Sequence, residues 1–95
     1  MFPQYVEIGY KSDLMQACSA GNIDRVRKLL AENPAFLWQV CDTGDTVLHF
    51  TARGGSIAIV QLLLEQGADK NMKDNDGKTP VELTESKTIR KLLEA

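Results

Sequence analysis

The chain has 95 residues, 43% of them apolar, and a formal net charge of −2 at neutral pH. That fits one small globular domain and excludes a disordered chain or a two-domain protein. No basic block offers a phosphate track for nucleic acid, and no apolar run approaches the roughly 20 residues that span a bilayer.

The elements are expected in the following order. Residues 1–11 form an N-terminal extension in which Phe2, Pro3, Gln4, Tyr5, Val6, Glu7, Ile8, Gly9 and Tyr10 alternate loosely and carry no helix signal. It is expected to pack as a cap over the first folded unit; addition as a strand to a partner's sheet edge is the alternative. Ser12 or Asp13 caps a first helix over residues 14–20, Gly21 and Asn22 turn the chain, and residues 23–32 form a second helix. Arg25, Arg27 and Lys28 lie on that helix and read as a solvated face. In the long apolar connection that follows, Phe36, Leu37 and Val40 are expected to seal a gap between units, with Trp38 half covered or touching a partner.

Thr46 then caps a helix over residues 47–53, ended by Gly54 and Gly55. Ser56 caps the next, from Ile57 to about Gln66, where Ile57, Val60, Leu63 and Leu64 recur at helical spacing and Gly67 closes. Residues 69–78 are polar and turn-rich and should project into solvent. Thr79 caps a further helix with Pro80 at its first position, where the missing N–H costs little. A short turn at Ser86 and Lys87 leads through Thr88 to a closing helix over residues 89–94.

These elements repeat. Gly44-Asp45-Thr46 stands 33 residues before Gly77-Lys78-Thr79. Leu14, Ala17, Gly21, Val26, Leu29 and Leu30 match Leu48, Thr51, Gly55, Val60, Leu63 and Leu64 at a spacing of 34. The expected units are residues 12–41, a complete one at 42–74 and a shortened one at 75–95. Two-turn helices do not persist alone in water, so their apolar faces must be buried against neighbouring units.

Thr46-Val47-Leu48-His49-Phe50-Thr51-Ala52 resembles the Thr-Pro-Leu-His-x-Ala-Ala signature of the ankyrin repeat family. Gly55, Ile59, Val60, Leu62, Leu63, Leu64, Gly67, Ala68, Asp69 and Asn71 continue the pattern in register. Val47 stands where proline is usual, Thr51 where alanine is, and Val81-Glu82 where Leu-His is. The resemblance implies an all-α solenoid of about three stacked helix-turn-helix units with short β-hairpin-like loops. It also implies structural roles for Thr46, Leu48, His49, Gly55, Gly67, Thr79 and Pro80, the histidine tying hairpin to helix through backbone and the threonine cap.

Chemical sites are few. His49 is the single histidine, so a multi-histidine metal centre is excluded. Cys18 occupies an alanine-like position and reads as a small buried hydrophobe. Cys41 is expected to be partly exposed in the first hairpin, where Asp42 opposes a thiolate. Asp69, Asn71, Asp74, Asn75 and Asp76 superficially suggest a calcium loop but lack its ordered ligands and closing glutamate. No catalytic residue, metal or cofactor is therefore assigned. A small thiol enzyme using Cys41 or His49 stays as a minor alternative.

The family resemblance points to a non-catalytic module that binds a partner protein through hairpin tips and the inner short-helix face. The implied contacts are Gln16, Ser19, Ala20, Asp42, Thr43, Asp45, Phe50, Arg53, Lys73, Asn75, Asp76 and Lys78, with Trp38 added as an aromatic anchor. Nucleic acid and membrane are not expected partners. A monomer is preferred to a self-associating structural stack. The two distant cysteines suit reduced thiols, and the N-terminus lacks the pattern of a signal peptide. Both point to an intracellular setting, cytoplasmic or nuclear, with a bacterial cytosol equally compatible.

Overall fold

The computed structural model describes residues 5–95; Phe2, Pro3 and Gln4 of the expected cap lie outside the described residues. A short strand β1 (Val6–Glu7) leads into helices α1 (Asp13–Ala20) and α2 (Ile23–Glu32). A 3-10 turn (Pro34–Trp38) and strand β2 (Gln39–Val40) follow, then α3 (Val47–Gly54), α4 (Ile57–Glu65), α5 (Pro80–Leu83) and α6 (Lys87–Glu94). Among the described residues, none of these helices is long and apolar enough to cross a membrane.

Helices α1, α2, α4 and α6 begin where a side chain replaces a missing backbone acceptor. Ser12 Oγ accepts the Met15 N–H at 3.2 Å, Asn22 Oδ1 that of Arg25 at 3.2 Å, and Ser56 Oγ that of Ile59 at 3.3 Å. The last helix starts two residues earlier than the sequence suggests. Ser86 Oγ accepts the Ile89 N–H at 3.2 Å, so Ser86 is the cap and Thr88 lies inside the helix.

Helices α1, α3 and α5 pack side by side as one layer; α2, α4 and α6 form a second layer behind them. The core lies between the layers, and repeat-equivalent positions fill it in turn. Leu14 and Leu48, Val26 and Val60, Leu29 and Leu63 are all buried. Each such side chain contributes roughly 1.5–3 kcal/mol when fully removed from water. That exceeds what two turns of helix can supply alone.

Two features were not anticipated. The connection after α2 tightens into the 3-10 turn, initiated by Asn33 Oδ1 accepting the Ala35 N–H at 3.0 Å. This folds Leu37 into the core and leaves Trp38 half-buried. The extension, in turn, pairs β1 with β2 in parallel, Val6 opposite Gln39 and Glu7 opposite Val40.

Candidate functional site

The hairpins at residues 41–45 and 74–78 repeat the same pair of bonds. The Cys41 N–H donates to Asp45 O and the Gly44 N–H to Cys41 O; 33 residues on, Asp74 N–H donates to Lys78 O and Gly77 N–H to Asp74 O. The two hairpins are also joined to each other. The Asn75 N–H donates to Thr43 O at 3.0 Å, and Asn75 Nδ2 donates to Asp42 O at 2.9 Å. Gly44 permits this approach. Its φ is +80°, and a β-carbon there would lie 2.8 Å from the Asn75 backbone nitrogen.

His49 bolts this pair of hairpins to α3. Its Nε2 lies 2.8 Å from Lys78 O. A carbonyl cannot donate, so Nε2 carries the proton and Nδ1 is an acceptor. Nδ1 takes the Thr46 N–H at 3.1 Å and lies 2.9 Å from Thr46 Oγ1. The ring is fully buried, and both nitrogens are used within the fold. This leaves it no lone pair with which to act as a base.

Beside it sits a charged cluster. Arg53 grips Asp45 with two bonds of 3.0 and 3.2 Å and approaches Asp74 Oδ2 at 3.9 Å. Thr43 Oγ1 donates to Asp45 Oδ2 at 2.7 Å. The arginine can reach back to the start of its own helix because side chains tilt toward the helix N-terminus. Ligand atoms of Asp45, His49 and Asp74 lie within 4.8 Å of one another, a spacing that superficially suits a cation. The Arg53 guanidinium already faces both carboxylates, and the histidine is committed at both nitrogens. The cluster reads as a charge-compensated joint between repeats.

Asp45 therefore moves from surface to core. It was expected among the partner contacts, but it is 3% exposed and spent on Arg53 and Thr43. Asp74, expected in a solvent-facing loop, is also buried. Its burial acts to raise the carboxyl's affinity for a proton. Backbone N–H groups of Lys78 and Asp76, both donating to Asp74 Oδ1 at 2.9 Å, outweigh this and hold it below the usual carboxylate range.

Folding thus favours the ionised form, so Asp74 stabilises the native state at neutral pH. That contribution fades as the pH falls below the ordinary carboxylate value of about 4 and on through the lower folded value. Urea titrations across this range should show the wild-type chain losing stability faster on acidification than Asp74→Asn. Parallel acid limbs for the two chains would contradict the assignment.

Both cysteines are buried and unpaired, which corrects the expected partial exposure of Cys41. Cys41 Sγ lies 3.0 Å from Thr43 Oγ1 inside the hairpin. Burial pushes the Cys18 thiol up to about 11 despite an opposing hydrogen bond with Thr51. Neither is arranged as an accessible thiolate nucleophile.

The remaining candidates divide by environment. Gln16 and Ala20 on α1, Arg53 on α3, and Asp42, Thr43, Lys73, Asn75, Asp76 and Lys78 on the hairpins are exposed; Ser19 and Phe50 are half-buried. Phe50 is flanked by two cations, Lys11 Nζ at 5.1 Å and Arg53 Cζ at 5.8 Å from its ring centroid. Trp38 is engaged with the extension. The Tyr5 ring meets it edge-on, centroids 5.4 Å apart and planes at 81°. The Asp45–Arg53–Asp74 joint was missed in the sequence, where the only available signal was the unpaired cation at the end of a helix whose N-terminus is preceded by an aspartate.

Comparison with known proteins agrees with this geometry. The family model described as ankyrin repeats, three copies, matches residues 14–94. Mouse diacylglycerol kinase iota is 41% identical over 76 residues, which make up 78% of this chain and 7% of the kinase. Human ankyrin repeat domain-containing protein 40 is 34% identical over 80 residues, 84% of this chain and 22% of that protein. The chain thus spans less than a quarter of either relative. The crystal structure of the ankyrin repeat domain of Bcl-3 superposes with a TM-score of 0.79 at 24% identity, covering 88% of this chain and 36% of that one. With its two helix layers, its 33-residue hairpin period and a match over three successive repeats, the chain belongs to the ankyrin repeat family.

Proposed function

We propose that this chain is a non-catalytic binding module whose contact face runs from the outer surface of α1 and α3 to the tips of the two joined hairpins. Ankyrin repeats are in general protein–protein interaction modules, and the finer assignment rests on Phe50. It is an aromatic on the first helix layer, half out of the core, with a lysine and an arginine held against its ring. Such an amphipathic cluster suits an apolar anchor ringed by acidic or carbonyl groups of a partner. The hairpins beside it carry Asp42, Asp76, Lys73 and Lys78, a mixed-charge rim. Unpaired buried cysteines support a reducing, intracellular setting.

Affinity enrichment from the native organism tests the face, with wild-type, Phe50→Ala and Arg27→Ala chains run in parallel. Truncating an aromatic anchor costs about 2 kcal/mol, roughly 30-fold in affinity. The partner should therefore be recovered with wild-type and Arg27→Ala and lost with Phe50→Ala, all three chains keeping the same helical circular dichroism. Equal recovery with Phe50→Ala places the contact elsewhere.

A further inference from the structure

The two cations against the Phe50 ring are held in opposite ways. Arg53 is spent inside the fold. Its Nη1 and Nη2 both donate to the Asp45 carboxylate, at 3.0 and 3.2 Å, and Nη2 stands 3.9 Å from Asp74 Oδ2. Those two carboxylates are closed off from solvent, their side chains 5% and 3% exposed. His49 beside them is neutral in the tautomer that its hydrogen bonds require. One guanidinium thus faces two carboxylates, and a further anion approaching Arg53 meets a surplus of negative charge.

Lys11 has no such partner. It is exposed, its Nζ lies 5.1 Å from the Phe50 centroid, and among the described residues no carboxylate comes within 4.0 Å of it. An ammonium carries three donors, more than one ring face can engage. The root of the side chain is nevertheless fixed. Gln16 Nε2 donates to Lys11 O at 3.1 Å, and the next residue, Ser12, caps α1. Anchoring the backbone in this way lowers the ordering cost of using the tip.

We infer that Lys11 is the specificity-determining cation of this face, pairing with a carboxylate side chain that the partner places beside Phe50. The inference rests on the contact face proposed above and sharpens its chemistry. The partner segment carries an apolar group next to an aspartate or glutamate, and the acidic group turns to Lys11 instead of Arg53. Charges placed in this way select among partners and set their register more than they add affinity.

The test titrates Ac-Phe-Glu-NH2 and its uncharged counterpart Ac-Phe-Gln-NH2 into the full chain at constant ionic strength. Nuclear magnetic resonance shifts of the Phe50 ring and the Lys11 ε-methylene follow the binding. The glutamate peptide should bind wild type about threefold more tightly, the scale of one exposed ion pair. Lys11→Arg should keep that preference, Lys11→Met should abolish it, and Lys11→Glu should reverse it in favour of Ac-Phe-Lys-NH2. Because Lys11 is exposed, all three variants should keep the wild-type circular dichroism. A glutamate preference that survives Lys11→Met gives the carboxylate to Arg53 and overturns the inference, as does equal binding of the two peptides to wild type. If neither peptide moves the Phe50 ring, the contact face itself fails and takes the inference with it.

Discussion

Leu48→Ala should cost about 2–5 kcal/mol of unfolding free energy and lower the melting temperature by roughly 10 °C or more. Leu48 is 1% exposed and lies on α3, which packs against α1 on one side and α5 on the other. Truncation there opens a void that two neighbours share. A domain of this size has about 5–15 kcal/mol in all, so the variant should be close to its folding threshold at 37 °C. Urea unfolding followed by circular dichroism measures this directly. A loss below about 0.5 kcal/mol, the scale of an ordinary surface substitution, would mean that α3 is not the centre of the stack.

His49→Ala should be nearly as damaging, about 2–4 kcal/mol, for a different reason. The substitution strands the buried Thr46 N–H and removes the donor to Lys78 O. It also empties the space of a fully buried ring. Because Lys78 O belongs to the next hairpin, the damage should spread beyond α3. The amide of Asp74, which donates to that same carbonyl, should shift in nuclear magnetic resonance spectra and exchange faster. If stability falls while Asp74 is undisturbed, His49 acts only within its own repeat.

Much of this architecture was readable from residue spacing because the repeat restates it. Leu14 and Leu48, or Val26 and Val60, are interpretable as core because each occurs twice in the same place, and their burial follows. Caps were equally legible at Ser56 and Thr79, where a short polar side chain precedes an apolar helix. Ser86 shows the limit. Serine and threonine two residues apart both qualify, and the choice between them is made by which one lets Ile89 and Leu93 face the core.

Long-range polar partners were not legible. Asp45 and Asp74 have the composition of ordinary turn residues, and only the closed hairpins reveal that Arg53 lies between them. Nor does spacing indicate that Tyr5 would reach Asp69, or that Val6 would pair beside Gln39. A two-residue strand has too little alternation to register as a pattern. Phe50 and the hairpin tips can be named from the sequence as a candidate contact face, whereas only the fold reveals that Asp45 is buried and that Tyr5 meets Trp38.

The dependence of each helix pair on its neighbours is most directly tested by native-state amide hydrogen exchange. Amides of α3 and α4, flanked on both sides, should share one opening free energy equal to that of global unfolding, while the Ile8 amide opens earlier. Fast exchange throughout α3 with α1 and α6 still protected would show that the repeats stand on their own.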